Sequence, residues 1–228
     1  MGPLPTDPPT KPPLDVAFWR RRERVRRLWL TRAVWLASLL GAFLLGRGCR
    51  PPALMLGRES RAEMVGTRHP TWEIGEVIAR QPCRRRVREV ILHHTWRPAA
   101  AEYQGESTVE SVLRQHVANG WRNLAYHYLV APDGTVWLGR PLGQVGTHTK
   151  TRNEGTAAVC LILDGDRETP SRAQIEAATT VLRALLRRFR LRAEHNFRAG
   201  HGFHRDYAEK SCPGQGITKT LVLDWLRG

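Results

Sequence analysis

Two stretches of this chain, VREVILHHT from Val87 to Thr95 and TAAVCLIL from Thr156 to Leu163, run apolar and β-branched through their centres. Neither shows the strict in-out alternation of a half-exposed strand, so both read as buried strands. A chain built on such strands has to cover its sheet, and the sequence around them supplies the cover. STVESVLRQHVANG places Ser/Thr ahead of Val109, Val112, Leu113 and Val117 and stops at Gly120, which predicts a helix. YHYLVAPDGTVWLGR holds two β-rich runs joined at Pro132-Asp133-Gly134, the chemistry of a hairpin turn. Beyond the second buried strand, SRAQIEAATTVLRALLRRF predicts a long amphipathic helix capped by Ser171. NFRAGH reads as a short extended run and GITKTLVLDWLRG as a closing helix. Strands and helices interleave around an antiparallel hairpin, so the expected class is α/β, a mixed central β-sheet flanked by helices. No internal repeat is visible.

The front of the chain follows different rules. Residues 1–27 are Pro-rich and basic and bury too little apolar surface to offset the entropy of ordering, so they read as a disordered tail. Leu28 to Gly46 follows, long enough as a helix to cross a bilayer, with six arginines before it and Arg47 and Arg50 after it. The positive-inside rule then puts the tail in the cytoplasm and everything beyond Arg50 outside it, in a periplasmic or extracytoplasmic space. The same segment also fits a secretory signal, and cleavage there would release the domain as a secreted protein; no clear Ala-x-Ala site follows. Residues 47–80 read as a linker with one short helix around Trp72 to Ile78, and the domain proper as 81–228.

The net charge of +15 suggests a polyanion partner until it is divided along the chain. Residues 1–50 hold ten Lys/Arg against three Asp/Glu, which is +7, and leave +8 for the other 178 residues. The densest basic run of the domain, CRRRVR at Cys83 to Arg88, reads as a solvated edge, and no motif supports a nucleic-acid partner. Four cysteines, Cys49, Cys83, Cys160 and Cys212, are too few for a disulfide scaffold, so each needs its own account.

His204 and Cys212 lie eight residues apart in HGFHRDYAEKSCPG, across a loop that carries Lys210. Histidine and cysteine are zinc ligands, and a catalytic zinc site takes three protein ligands and keeps one position open. A third ligand is available at the end of VILHHT, where adjacent histidines point to opposite faces of the sheet and only one of His93 and His94 reaches the metal.

Together VILHHT, GWRNLAYHYLVAPDGTVWLGRP, VGTHTKTRNEGTAAVCLIL and HRDYAEKSCPG, in that order, resemble the zinc-dependent N-acetylmuramoyl-L-alanine amidases of the type-2 amidase family, which includes the peptidoglycan recognition proteins. The resemblance spans Val87 to Trp225. It implies zinc held by His93, His204 and Cys212, with Tyr126 of AYHY and Lys210 of EKSCP as the polar groups beside it. It also implies that His148 and Asn153 lie on the groove that contacts muropeptide. One branch of the family carries a glutamate in the strand that here reads AAVCLIL; Cys160 stands near that position, which points to the branch relying on Tyr126 and Lys210. Cys160 is then a core residue, His201 the rival of His204, Asp206 a candidate to orient a ligand histidine, and His127 a side chain turned away from Tyr126.

The resemblance therefore implies an enzyme that hydrolyses the amide between N-acetylmuramic acid and L-alanine in peptidoglycan, with zinc as cofactor, peptidoglycan or muropeptides as partner, and the membrane as a second partner through the N-terminal helix. A binding protein that does not cut is the alternative, since some relatives lack the zinc cysteine; Cys212 is present here.

Overall fold

The computed structural model describes residues 67–228. The tail 1–27, the apolar segment 28–46 and most of the stretch read as linker lie outside the described residues. Among the described residues no helix is long and apolar enough to cross a membrane.

Five strands form one sheet: β1 (Arg68–His69), β2 (Glu89–His94), β3 (Tyr128–Val130), β4 (Val136–Leu138) and β5 (Thr156–Leu161), in the order β1-β4-β3-β5-β2. The two apolar runs are parallel neighbours, with Glu89 opposite Thr156 and His93 opposite Cys160. β3 is parallel to β5 and antiparallel to β4, the hairpin read from Pro132-Asp133-Gly134. The sheet is mixed, as expected.

Alternation sends the two sets of β2 and β5 side chains to opposite layers. Val90, Leu92, Ala157, Val159 and Leu161 join Tyr128, Val130, Val136 and Leu138 against α3 (Arg172–Arg188), where Ala178, Val181, Leu182 and Leu185 are buried. Ser171 caps that helix by accepting from the Gln174 N–H. The closing helix α5 (Lys219–Arg227) adds Val222 and Trp225 to the same core. On the other layer α2 (Glu106–Ala118) packs Val109 and Val112 over Leu129, Trp137, Cys160 and Ile162. His93 faces this second layer.

The fold also recruits residues that composition assigns to the linker. α1 (Thr71–Arg80) buries Ile74 and Ile78 completely in the main core. Each such side chain contributes about 1.5–3 kcal/mol, so this helix is integral to the domain. CRRRVR departs from its reading as a wholly solvated edge. Arg84, Arg86 and Arg88 are exposed, but Arg85 is half-buried and donates to the carbonyls of Leu142, Glu154 and Thr156. NFRAGH is not extended: Asn196 ends a single helical turn, α4 (Ala193–Asn196).

That turn matters because β2 is an edge strand. Its three outward N–H groups are all taken by the C-terminal segment: Val90 N–H by Asn196 Oδ1 at 2.8 Å, Leu92 N–H by the Gly202 carbonyl at 2.8 Å, and His94 N–H by Cys212 Sγ at 3.4 Å.

Candidate metal centre

His93 stands one residue from the end of β2 and is 1% exposed. The chain returns to it when Phe203 bridges Leu92, so that the next residue, His204, opens a 3₁₀ turn (His204–Asp206) with its ring centroid 4.7 Å from that of His93. Cys212 Sγ lies 3.7 Å from His93 Nδ1. The ligand atoms of His93, His204 and Cys212 fall within 4.8 Å of one another. Tetrahedral zinc with Zn–S of about 2.3 Å and Zn–N of about 2.05 Å sets S and N about 3.6 Å apart, so this donor set fits the ion in both chemistry and spacing.

One arginine organises the loop between the second and third ligands. Arg205 donates its own N–H to the Cys212 carbonyl at 2.8 Å and its guanidinium to the carbonyls of Ser211, Gly214 and Ile217 at 3.2, 2.7 and 2.7 Å. The loop is then pressed onto its neighbour. Gly214 has φ +115°, and a Cβ there would sit 2.1 Å from the carbonyl carbon of Gly165. His94, the second histidine of the pair, accepts the Gly165 N–H at Nδ1 (2.9 Å) and so anchors that neighbour rather than joining the metal set. A further carboxylate group, Asp164 and Asp166 beside His94, is already engaged: Asp164 pairs with Arg97, and Asp166 accepts from Ser211 Oγ and the Gln215 N–H.

Burial sets the electrostatics. It holds the His93 pKa well below the usual imidazole value, aided by His148 and His204, and lowers that of His204 to about 4, aided by Lys210. It pushes the Cys212 thiol up to about 12, against the pull of the His94 N–H and the charges of Lys210 and Arg205. Both histidines are therefore neutral and ligand-ready at neutral pH, and a metal must displace the thiol proton.

Tyr126 sits beside the trio, its ring centroid 5.1 Å from that of His93. Its backbone is stapled by Gly139 and Arg140: the Arg140 N–H donates to the Tyr126 carbonyl at 2.8 Å, and a Cβ on Gly139 would lie 2.2 Å from that oxygen. Burial, then the thiols of Cys160 and Cys212, raises the phenol pKa well above its ordinary value, so the hydroxyl keeps its proton. Lys210 is exposed on the rim, near enough for its charge to act on His204 and Cys212.

The remaining candidates fall into place around this set. His148 is 7% exposed, with Nδ1 3.1 Å from His93 Nε2. Asn153 turns its Oδ1 inward to accept the His148 and Thr149 N–H groups. His201 is paired elsewhere, with Tyr207 and Arg198, so His204 alone of the two meets the other ligands. Asp206 accepts from the Phe203 N–H and Lys219 Nζ. His127 lies below, its Nδ1 accepting the Ala158 N–H at 3.0 Å. A cleft of about 450 Å³ opens where β2 and β5 begin, lined by Arg88, Glu89, Thr151, Arg152, Asn153 and Thr156 among others. Motif reading missed Arg205 and the Gly165–Gly214 contact; the only signal for them is that they lie beside or between ligands.

A family model described as N-acetylmuramoyl-L-alanine amidase matches residues 84–215, which takes in all three residues of the candidate metal trio. The chain belongs to this amidase family. The endolysin of Klebsiella phage KP32 is 33% identical over 106 residues, covering 46% of this chain and 68% of that protein. The N-acetylmuramoyl-L-alanine amidase of Sus scrofa is 30% identical over 134 residues, covering 57% of this chain and 22% of that longer one. Among solved structures, the amidase LysCS from Clostridium intestinale superposes with a TM-score of 0.53 at 20% identity, over 63% of this chain and 85% of that one. Wild-type Drosophila PGRP-LB gives 0.52 at 21% identity, over 63% and 83%. At these identities the two structures establish the amidase fold.

Proposed function

We propose that this amidase cleaves the bond between the lactyl carbonyl of N-acetylmuramic acid and the nitrogen of L-alanine, using zinc held by His93 Nδ1, His204 and Cys212. The convergence of those three ligand atoms beside Tyr126 carries the reading. When bound, zinc supplies Lewis acidity that activates water at neutral pH and polarises a carbonyl. The chain's own groups do the rest. The Tyr126 hydroxyl, held protonated, orients the scissile carbonyl by donating to it. Lys210 Nζ places a positive charge where the tetrahedral oxyanion develops. The names of the peptidoglycan-recognition relatives support the same class of ligand. They also raise binding without cleavage, against which the retained Cys212 weighs.

Mass spectrometry of purified peptidoglycan treated with the zinc-loaded chain tests the reaction. Free stem peptides with an L-alanine amino terminus, and glycan without peptide, are the expected products. Bound but uncut peptidoglycan would leave the recognition reading in place.

For the front of the chain we propose a cytoplasmic tail, a membrane segment at 28–46 and an exported domain, supported by the arginines flanking that apolar run. Protease added to intact spheroplasts should digest the domain; a fully protected chain would overturn this topology.

A further inference from the structure

His93 turns Nδ1 toward Cys212 Sγ, so Nδ1 is its metal-facing atom and Nε2 must carry the ring proton. Nε2 is 3.1 Å from His148 Nδ1, which makes His148 the acceptor and puts its own proton on Nε2. That second proton meets Thr156 Oγ1 at 3.3 Å, and the Thr156 hydroxyl donates onward to the Arg152 carbonyl at 2.8 Å. Thr149 Oγ1 also lies 3.0 Å from His148 Nδ1, whose single in-plane lone pair is taken by the His93 Nε2–H. One set of tautomers satisfies the run of contacts from His93 through His148 and Thr156 to the Arg152 carbonyl.

We propose that His148 is a positioning residue for the metal ligand His93, accepting its Nε2–H and thereby fixing the ring's rotation and tautomer. Metal-bound histidines commonly donate to a carboxylate, a backbone carbonyl or water; here a second imidazole takes that place. The assignment rests on the metal reading of His93, His204 and Cys212, and it sets His148 behind the ligand rather than against a muropeptide.

The loop is shaped around this ring. A Cβ on Gly146 would lie 2.5 Å from His148 Cδ2 and 3.0 Å from its Nε2, so only glycine leaves room for the imidazole. Asn153 Oδ1 fixes the backbone by accepting the N–H groups of His148 and Thr149 at 2.9 and 2.8 Å. With both ring nitrogens engaged and 7% of its surface exposed, His148 has little left to offer a ligand in the groove.

The test is the zinc dissociation constant of the full chain, by competition with a chromophoric chelator, together with the visible spectrum of the cobalt-loaded protein. His148→Ala should weaken zinc binding by about 10- to 100-fold and alter the cobalt spectrum. His148→Asn, whose Oδ1 occupies the place of Nδ1, should stay within about threefold of the parent, and Gly146→Ala should weaken binding as His148→Ala does. An alanine variant within about twofold of the parent would overturn the proposal whatever happens to KM, because the expected loss is tenfold or more. An asparagine variant as weak as the alanine one would overturn it too. Should His148→Ala fail to fold, His148→Asn and Gly146→Ala decide on the same terms. Intact metal results with no cleavage of peptidoglycan would count against the amidase reaction alone.

Discussion

Cys212 Sγ and His93 Nδ1 meet at 3.7 Å although 119 residues separate them in the chain, and burial moves their pKa values in opposite directions. The imidazole is held neutral and the thiol is held protonated. Zinc therefore has one proton to displace, from Cys212, whose pKa is about 12, and none from His204, whose pKa is about 4. Affinity should rise with pH, about tenfold per unit across the neutral range, and fall by the same factor as pH drops. Chelator competition at several pH values reads the slope. A flat profile would mean the thiol is already ionised without metal.

Removing ligands should separate the two histidines of HGFH. Cys212→Ser and His204→Ala should each lose most bound zinc and most activity, whereas His201→Ala, which breaks contacts to Tyr207 and Arg198 instead, should keep the metal. Metal content by atomic absorption gives the order, and a reversed order would reassign the second ligand.

Lys210→Ala should retain zinc and substrate affinity while kcat drops by about two to three powers of ten, the cost of one oxyanion donor. Tyr126→Phe should likewise spare the metal. A lysine variant with normal kcat and raised KM would make Lys210 a wall of the groove.

Gly214→Ala tests the loop rather than the ligands. Its Cβ would collide with Gly165 at 2.1 Å and hold an unfavourable φ of +115°. The cost should be about 3 kcal/mol of stability. Urea melts of the metal-free protein read that loss, and zinc affinity should fall with it because Cys212 is two residues away.

The strands, the hairpin and the long helix are legible because each announces itself locally: unbroken apolar runs, Pro-Asp-Gly, and Ser171 before a helical stripe. The trio His93, His204 and Cys212 is legible because the motifs of a resembling family single it out, and the structure brings its ligand atoms together. What escapes is whatever depends on a partner far along the chain. Ile74 and Ile78 look like two apolar residues among Pro, Gly and charge, and only the docked sheet makes them core. Arg85 cannot be told from Arg84 or Arg86 until three carbonyls gather round it. His148 carries no sign of His93, 55 residues away.

The outer edge of β2 carries a last consequence. An uncovered edge strand is a template on which another chain can add its own strand, the route to aggregation and domain swapping. Here the guard on that edge is assembled from Asn196, Gly202 and Cys212, and its last member belongs also to the candidate metal trio. Edge protection and the candidate metal centre thus share an atom. Replacing Cys212 would therefore unmask the His94 N–H on that edge as well as remove one member of the candidate metal trio.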